Sequence, residues 1–264
     1  MRIKVVGRLF FLALLFFCVL HFGVGTPVRA AEEKVWLLEQ VSSRGLLKVF
    51  LGKNAVRVES PSNLYCVVCK SPDWRVMLYR SDDKLFVEQP LSQWRRSGLA
   101  WDSSSIVVID PKQCSQQPVK YKGLTAHKII AKNDSRNSLG DGAAMKTSDP
   151  VLSREIIFTQ EIPASTQISE FLRGLHDLPV SVGVPLSQEL IRKNGKETRF
   201  YTDQIKQVAV SANFFEYPKN FRRTTDSSHI VIGANARRSL LELGADMGIG
   251  EAFGTKKSKS ALVK

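Results

Sequence analysis

Between residues 35 and 88 the chain is a series of short apolar segments cut at close intervals by turn-forming residues, the pattern of an antiparallel meander. Segment 35–41 is followed by Ser42-Ser43-Arg44-Gly45, 46–51 by Gly52-Lys53-Asn54, and 55–59 by Ser60-Pro61-Ser62-Asn63. Segments 65–69, 75–80 and 84–88 continue the series across Ser71-Pro72-Asp73 and Ser81-Asp82-Asp83. None of these connections has room for a crossover helix, so the strands are expected to run up and down in one sheet. Leu47, Val49 and Leu51 alternate with Lys48, and Val56 and Val58 with Arg57 and Glu59, which assigns opposite sets to opposite faces. Leu46, Phe50 and the run Trp36-Leu37-Leu38 break that alternation, which predicts that some strands are covered on both faces.

The pattern then changes. Residues 91–96 predict a short helical turn carrying Trp94, 106–109 form an apolar run ended by Asp110-Pro111, and 120–132 give two extended segments around Gly123. Segment 133–150, rich in Asn, Asp, Ser and Gly, is expected to be a long surface loop and a candidate lid. Residues 153–160 read as a strand. Ser165 or Thr166 then caps a helix whose Ile168, Phe171, Leu172 and Leu175 recur at helical spacing and need an apolar surface to lie on. Asn194-Gly195, between 187–193 and 198–210, is the strongest hairpin signal and predicts a primed turn on those two residues. Phe214-Phe215-Glu216-Tyr217-Pro218 closes the last strand with aromatic side chains, and the final thirty residues predict at most a short helix and a frayed tail.

The first thirty residues change how all this is read. Arg2, Lys4 and Arg8 precede a nearly unbroken apolar run over 9–24, and Val28-Arg29-Ala30 offers small residues for a signal peptidase. The run contains His21 and Gly23 and is short for a bilayer helix of about 20 residues, so cleavage near Ala30 is expected over a retained anchor. Cys18 follows Phe16 and Phe17 rather than the small residues a lipidation site needs. The expected location is therefore periplasmic or secreted. Residues 1–30 hold four basic side chains and no acidic one, so their loss lowers the formal charge from +13 to +9. A basic exported chain disfavours nucleic acid as a partner and leaves anionic membrane surfaces, touched transiently, as the electrostatic expectation.

Candidate chemistry adds little. Export permits disulfides, and Cys66, Cys69 and Cys114 remain after cleavage. Three arrangements stay open: Cys66–Cys69 in a tight turn, a bridge involving Cys114, and unpaired thiols. Were 65–69 extended, the Cα atoms of Cys66 and Cys69 would stand about 10 Å apart, beyond disulfide reach. His127, His176 and His229 lie far apart without a second ligand at metal spacing. Asp73, Asp82, Asp83 and Asp102 sit at turns, where carboxylates stabilise backbone bends. With no nucleophile elbow or phosphate loop in view, the expectation is a non-enzyme with no catalytic residue, metal or cofactor. A thiol-active role for Cys66 and Cys69 is the weaker alternative.

Several stretches together resemble the LolA/LolB-like superfamily of exported half-barrel proteins. They are 45–59 with its Gly-Lys-Asn turn and Val56-Arg57-Val58, 79–94, Leu178-Pro179, Gly183-Val184-Pro185-Leu186, the Asn194-Gly195 hairpin, and Phe215 to Phe221. The resemblance implies a mainly β (α+β) fold, a curved antiparallel sheet forming an open half-barrel with one or two helices on its concave face. Its domain limits would be 31–232, followed by a flexible basic tail at 233–264. The implied function is binding of a lipid or lipoprotein acyl chain in the apolar hollow. Trp36, Leu38, Leu47, Val49, Leu51, Val56, Val58, Val76, Leu78 and Phe86 are the ligand-binding candidates, placed by alternation. Two departures stand out: only residues 31–34 precede the first strand, where family carriers begin with a helix, and Cys18 lacks the lipidation context of receptor-type members. A cell-envelope module that recognises a protein partner through the same sheet, or through its basic tail, is the alternative.

Overall fold

The computed structural model describes residues 32–42, 45–97, 114–132, 151–180 and 183–246. Residues 1–31, where the sequence predicts a leader, the 106–109 run, the 133–150 segment and the chain beyond 246 lie outside the described residues. In chain order the elements are β1 (Glu32–Ser42), β2 (Gly45–Leu51), β3 (Ala55–Ser60), β4 (Tyr65–Lys70), β5 (Arg75–Arg80), β6 (Leu85–Pro90), α1 (Leu91–Ser97), β7 (Ser115–Tyr121), β8 (Leu124–Lys132) and β9 (Val151–Thr159). There follow α2 (Thr166–Leu175), β10 (Val184–Arg192), β11 (Gly195–Ser211), β12 (Arg222–Arg223), α3 (Ser228–Val231) and α4 (Ala234–Asp246). The strands form one sheet in the order β12-β6-β5-β4-β3-β2-β1-β11-β10-β9-β8-β7, which does not close into a barrel. It is the expected mainly β, open half-barrel-like fold.

Strands β3 to β6 are each six residues long and start at 55, 65, 75 and 85, so each turn has four residues. The last residue of each turn, Leu64, Trp74 and Lys84, takes a left-handed backbone with φ of 57°, 47° and 48°. The even spacing holds register. One row of directly paired residues, Leu38–Val49–Val58–Val67–Leu78–Val87, crosses six strands on one face. A second, Trp36–Leu51–Val56–Cys69–Val76–Gln89, runs beside it. The first row is wholly buried, and α1 and α2 lie over this concave face.

The opposite face of β1–β6 is covered by the chain leaving β11. Phe214 meets Phe50 edge-on at 4.8 Å and sits under the Arg57 guanidinium, 4.7 Å from the ring centre. Phe215 lies against Gly52, where a Cβ would approach it to 3.1 Å. The Tyr217 hydroxyl donates to the Arg75 carbonyl at 3.0 Å, and Phe221 packs on Tyr79 at 5.7 Å. This aromatic strap is why β4 and β5 are buried on both faces, as their near-continuous apolar sequence requires. The chain then pairs with the edge of β6 as β12 and turns inward, so that Ile230 of α3 joins the concave core.

Three sequence expectations need correction. Phe86 is on the strap side, with Cys66, Val68, Met77, Tyr79, Tyr217 and Phe221, because the four-residue turn before β6 sends Leu85 and Val87 inward. The β10–β11 hairpin turns on Lys193 and Asn194: Arg192 pairs with Gly195, and Gly195, at φ 151°, opens β11 instead of ending the turn. Residues Ala234–Asp246, which the sequence placed in the tail, form the helix α4, held at its first residue and with its described side chains mostly exposed. The Ala234 N–H donates to Asp83 Oδ2 at 3.0 Å, and Gly233 sits on the Arg80 guanidinium, where a Cβ would come within 2.5 Å.

Candidate functional site

The concave face is the largest continuous apolar surface among the described residues, and its lining comes from the alternation that sets the strands. Leu38, Leu47, Val49, Leu51, Val56, Val58, Val76 and Leu78 all belong to its core cluster, with Trp36 partly buried against it. Of the predicted lining only Phe86 faces away. Tyr65, Val67, Cys69, Leu85 and Val87 of the same meander also belong to the cluster although alternation did not single them out; the run Tyr65-Cys66-Val67-Val68-Cys69 has no polar phase to mark its faces.

Two short helices cover the concave face. Ser165 caps α2 by accepting from the Ile168 N–H at 3.3 Å. At the other end Asp177 turns left-handed (φ 53°) and the Leu178 N–H returns to the Arg173 carbonyl at 3.0 Å, a Schellman closure. Between these ends Ile168, Phe171, Leu172 and Leu175 are buried against the sheet. Helix α1 contributes Leu91 and Trp94. The Trp94 ring stacks on Phe171 at 5.1 Å, 7° from parallel, and its Nε1–H donates to the Phe171 carbonyl at 2.8 Å. Gly174 allows that approach, for a Cβ there would stand 2.6 Å from Trp94 Nε1. The two helices are thus fastened to each other as well as to the sheet.

A second stripe on α2, Thr166, Ser169, Glu170 and Arg173, lies beside the apolar one. Its Ser169 and Arg173 are buried, and Glu170 holds Arg173 at 3.1 Å. Thr166, Ser169 and Glu170 form one wall of a pocket of about 310 Å³ whose other walls include Gln160, Ile162, Ala164 and Gly183. Ile162 belongs to the concave core cluster and Ala164 packs on it, so one side of the pocket, at the N-terminal end of α2, is lined by residues of the inner apolar cluster. The sequence marked α2 by its apolar spacing, but the same helical spacing in its polar residues could have revealed this wall.

Buried polar links fix the sheet beside the site. The Gln40 side-chain amide donates to the Pro185 carbonyl and to Thr202 Oγ1, both at 3.1 Å, and the Thr202 hydroxyl donates to the Leu186 carbonyl at 2.8 Å. These bonds tie β1 to β10 across β11.

Among the described residues Cys66, Cys69 and Cys114 form no disulfide. Cys66 and Cys69, three residues apart on β4, face opposite sides of the sheet, and Cys114 packs in a third cluster with Ile129 and Phe158. Burial pushes the Cys66 thiol up to about 11 and Cys69 up to about 12, which suppresses the thiolate that redox chemistry requires. The described histidines are likewise dispersed: His127 is on β8, His176 stacks on Phe200 at 3.9 Å, and His229 lies 3.4 Å from Asp226.

No family model matches the chain, and no curated protein matches it. Among solved structures it is similar to a crystal structure described as an uncharacterized conserved protein from Thermus thermophilus, with 13% identity over 72% of this chain and 89% of that one and a TM-score of 0.40.

Proposed function

We propose that this protein is a non-enzymatic binding protein that takes a lipid or lipoprotein acyl chain into the concave hollow, in the exported compartment its leader predicts and in the manner the LolA/LolB-like resemblance implies. The observation that carries the proposal is the unbroken apolar row Leu38–Val49–Val58–Val67–Leu78–Val87 beneath two short helices.

The energetics favour exchange. Helix α2 has ten residues, fewer than the ~12–15 an isolated helix needs, so its docking depends on its apolar stripe. Burying each of Ile168, Phe171, Leu172 and Leu175 contributes about 1.5–3 kcal/mol. An acyl chain burying a dozen methylenes at about 0.8 kcal/mol each supplies a comparable sum, on the order of 10 kcal/mol before ordering costs. A chain of that length therefore competes with the helix for the same surface. The task requires shape and apolarity rather than reactive side chains.

The test is titration of the purified full chain with the uncharged dye N-phenyl-1-naphthylamine, beside solvent extraction and mass spectrometry of what copurifies. Saturable dye fluorescence displaced by acyl lipids, or copurifying lipid in stoichiometric amount, is expected. Absence of both would remove the proposal.

A further inference from the structure

We propose that the pocket at the N-terminal end of α2 seats the uncharged head of a single-chain lipid of the monoacylglycerol type, whose tail passes Ile162 and Ala164 into the concave core. The inference deepens the acyl-chain reading above and rests on it.

Three observations support it. First, at about 310 Å³ the pocket lies at the lower end of the range for small-molecule sites, about 300–1,000 Å³, which suits one chain entering head-last rather than a two-chain phospholipid. Second, its walls differ in kind. Ile162 and Ala164 continue the inner apolar cluster, whereas Gln160, Thr166 and Ser169 present amide and hydroxyl groups that match the hydroxyls and ester carbonyl of a glyceride.

Third, the charge is wrong for an anionic head. The chain is strongly basic, yet no lysine or arginine lines this pocket among the described residues. The charged lining residue, Glu170, is matched by Arg173 at 3.1 Å. Glu161, between the lining residues Gln160 and Ile162, accepts from Thr125, which holds its carboxyl below the usual range. A carboxylate or phosphate head would lose hydration here and meet no cation in the described lining, while a neutral polar head loses little.

The test displaces N-phenyl-1-naphthylamine from the full chain with monoolein, oleate or lysophosphatidylglycerol, each below its aggregation concentration. Monoolein is expected to act at a concentration at least about tenfold lower than either anion. Ala164→Trp, which fills the pocket, is expected to weaken monoolein by a similar factor. Thr166→Lys, at an exposed first-turn position, leaves the core untouched and is expected to shift the preference toward oleate and lysophosphatidylglycerol. Equal potency of the three lipids, preference of the native chain for an anion, or unchanged selectivity in Thr166→Lys overturns the head-group assignment while leaving the acyl-chain reading in place. If no lipid displaces the dye, the acyl-chain reading itself fails, and this inference with it.

Discussion

Trp94 donates its indole N–H to the Phe171 carbonyl at 2.8 Å while its ring stacks on the Phe171 ring at 5.1 Å. One side chain thereby joins the helix that follows the N-terminal meander to the helix that precedes β10, and makes the two a single stopper over the concave face. Trp94→Ala removes the bond, the stack and a fully buried side chain, and is expected to cost about 3–5 kcal/mol in urea denaturation. In conditions where the variant stays folded, it should bind more N-phenyl-1-naphthylamine than the native chain. A loss under about 1 kcal/mol with unchanged dye binding would show that the stopper is not held this way.

Gly174 presents the opposite test. Alanine is the better helix former by about 1 kcal/mol, but here its Cβ would meet Trp94 Nε1 at 2.6 Å and the Trp94 carbonyl at 3.0 Å. Overpacking of that kind costs about 1–3 kcal/mol. The steric term wins: Gly174→Ala is expected to lower the denaturation midpoint, and a raised midpoint would mean that α1 yields freely.

The buried thiols set an alkaline limit. Cys66 and Cys69 are pushed from an ordinary value near 9 up to about 11 and about 12 by burial, and burial also raises the Tyr217 hydroxyl to about 12. In the unfolded chain these groups lose protons at lower pH than in the folded one. Their stabilising effect is therefore fully present at neutral pH and is lost as pH rises from about 9 toward 12. Stability measured against pH should fall over that window, less steeply in the Cys66→Ala/Cys69→Ala variant. Both thiols should resist Ellman's reagent at about pH 8 until the protein is unfolded, and prompt labelling of either in the native state would contradict their burial.

Arg80 anchors the C-terminal segment. Its Nη1 donates to the Asn63 carbonyl at 2.6 Å and the Ile230 carbonyl at 3.1 Å, and its Nε lies 2.8 Å from Asp82. Hydrogen bonds to charged groups contribute about 1.5–3 kcal/mol each. Arg80→Ala should free α3 and α4 locally, seen as faster tryptic cleavage at Arg237 and Arg238 while the sheet persists. An unchanged cleavage rate would show that the segment is held by other contacts.

Much of this fold was legible because its strands are short and their turns carry the residues turns need: the meander, the Trp94 helical turn and the stripe of α2 all follow from local spacing. Faces were legible only where polar residues alternate. In Tyr65-Cys66-Val67-Val68-Cys69 both faces are buried, one under the helices and one under the strap, so Val67 and Cys69 gave no sign of pointing inward, and counting parity across the four-residue turns was needed to place Phe86 outward. The strap was visible as an aromatic cluster but not as the cover of the convex face, because that depends on contacts such as Phe214 with Phe50, which are far apart in sequence. The pocket beside α2 was hidden for a similar reason, since its walls join a loop, a helix and the entry to β10.

The central claim is that an acyl chain lies along the inner rows, taking part of the surface that the apolar stripe of α2 covers. Photolabelling the full chain with a monoacylglycerol bearing a diazirine near the end of its acyl chain, followed by peptide mapping, tests it most directly. Labels on peptides that carry Val49, Val58, Val67, Leu78 or Phe171 are the expected result, and labels confined to the strap at 214–221, or none above background, would contradict it.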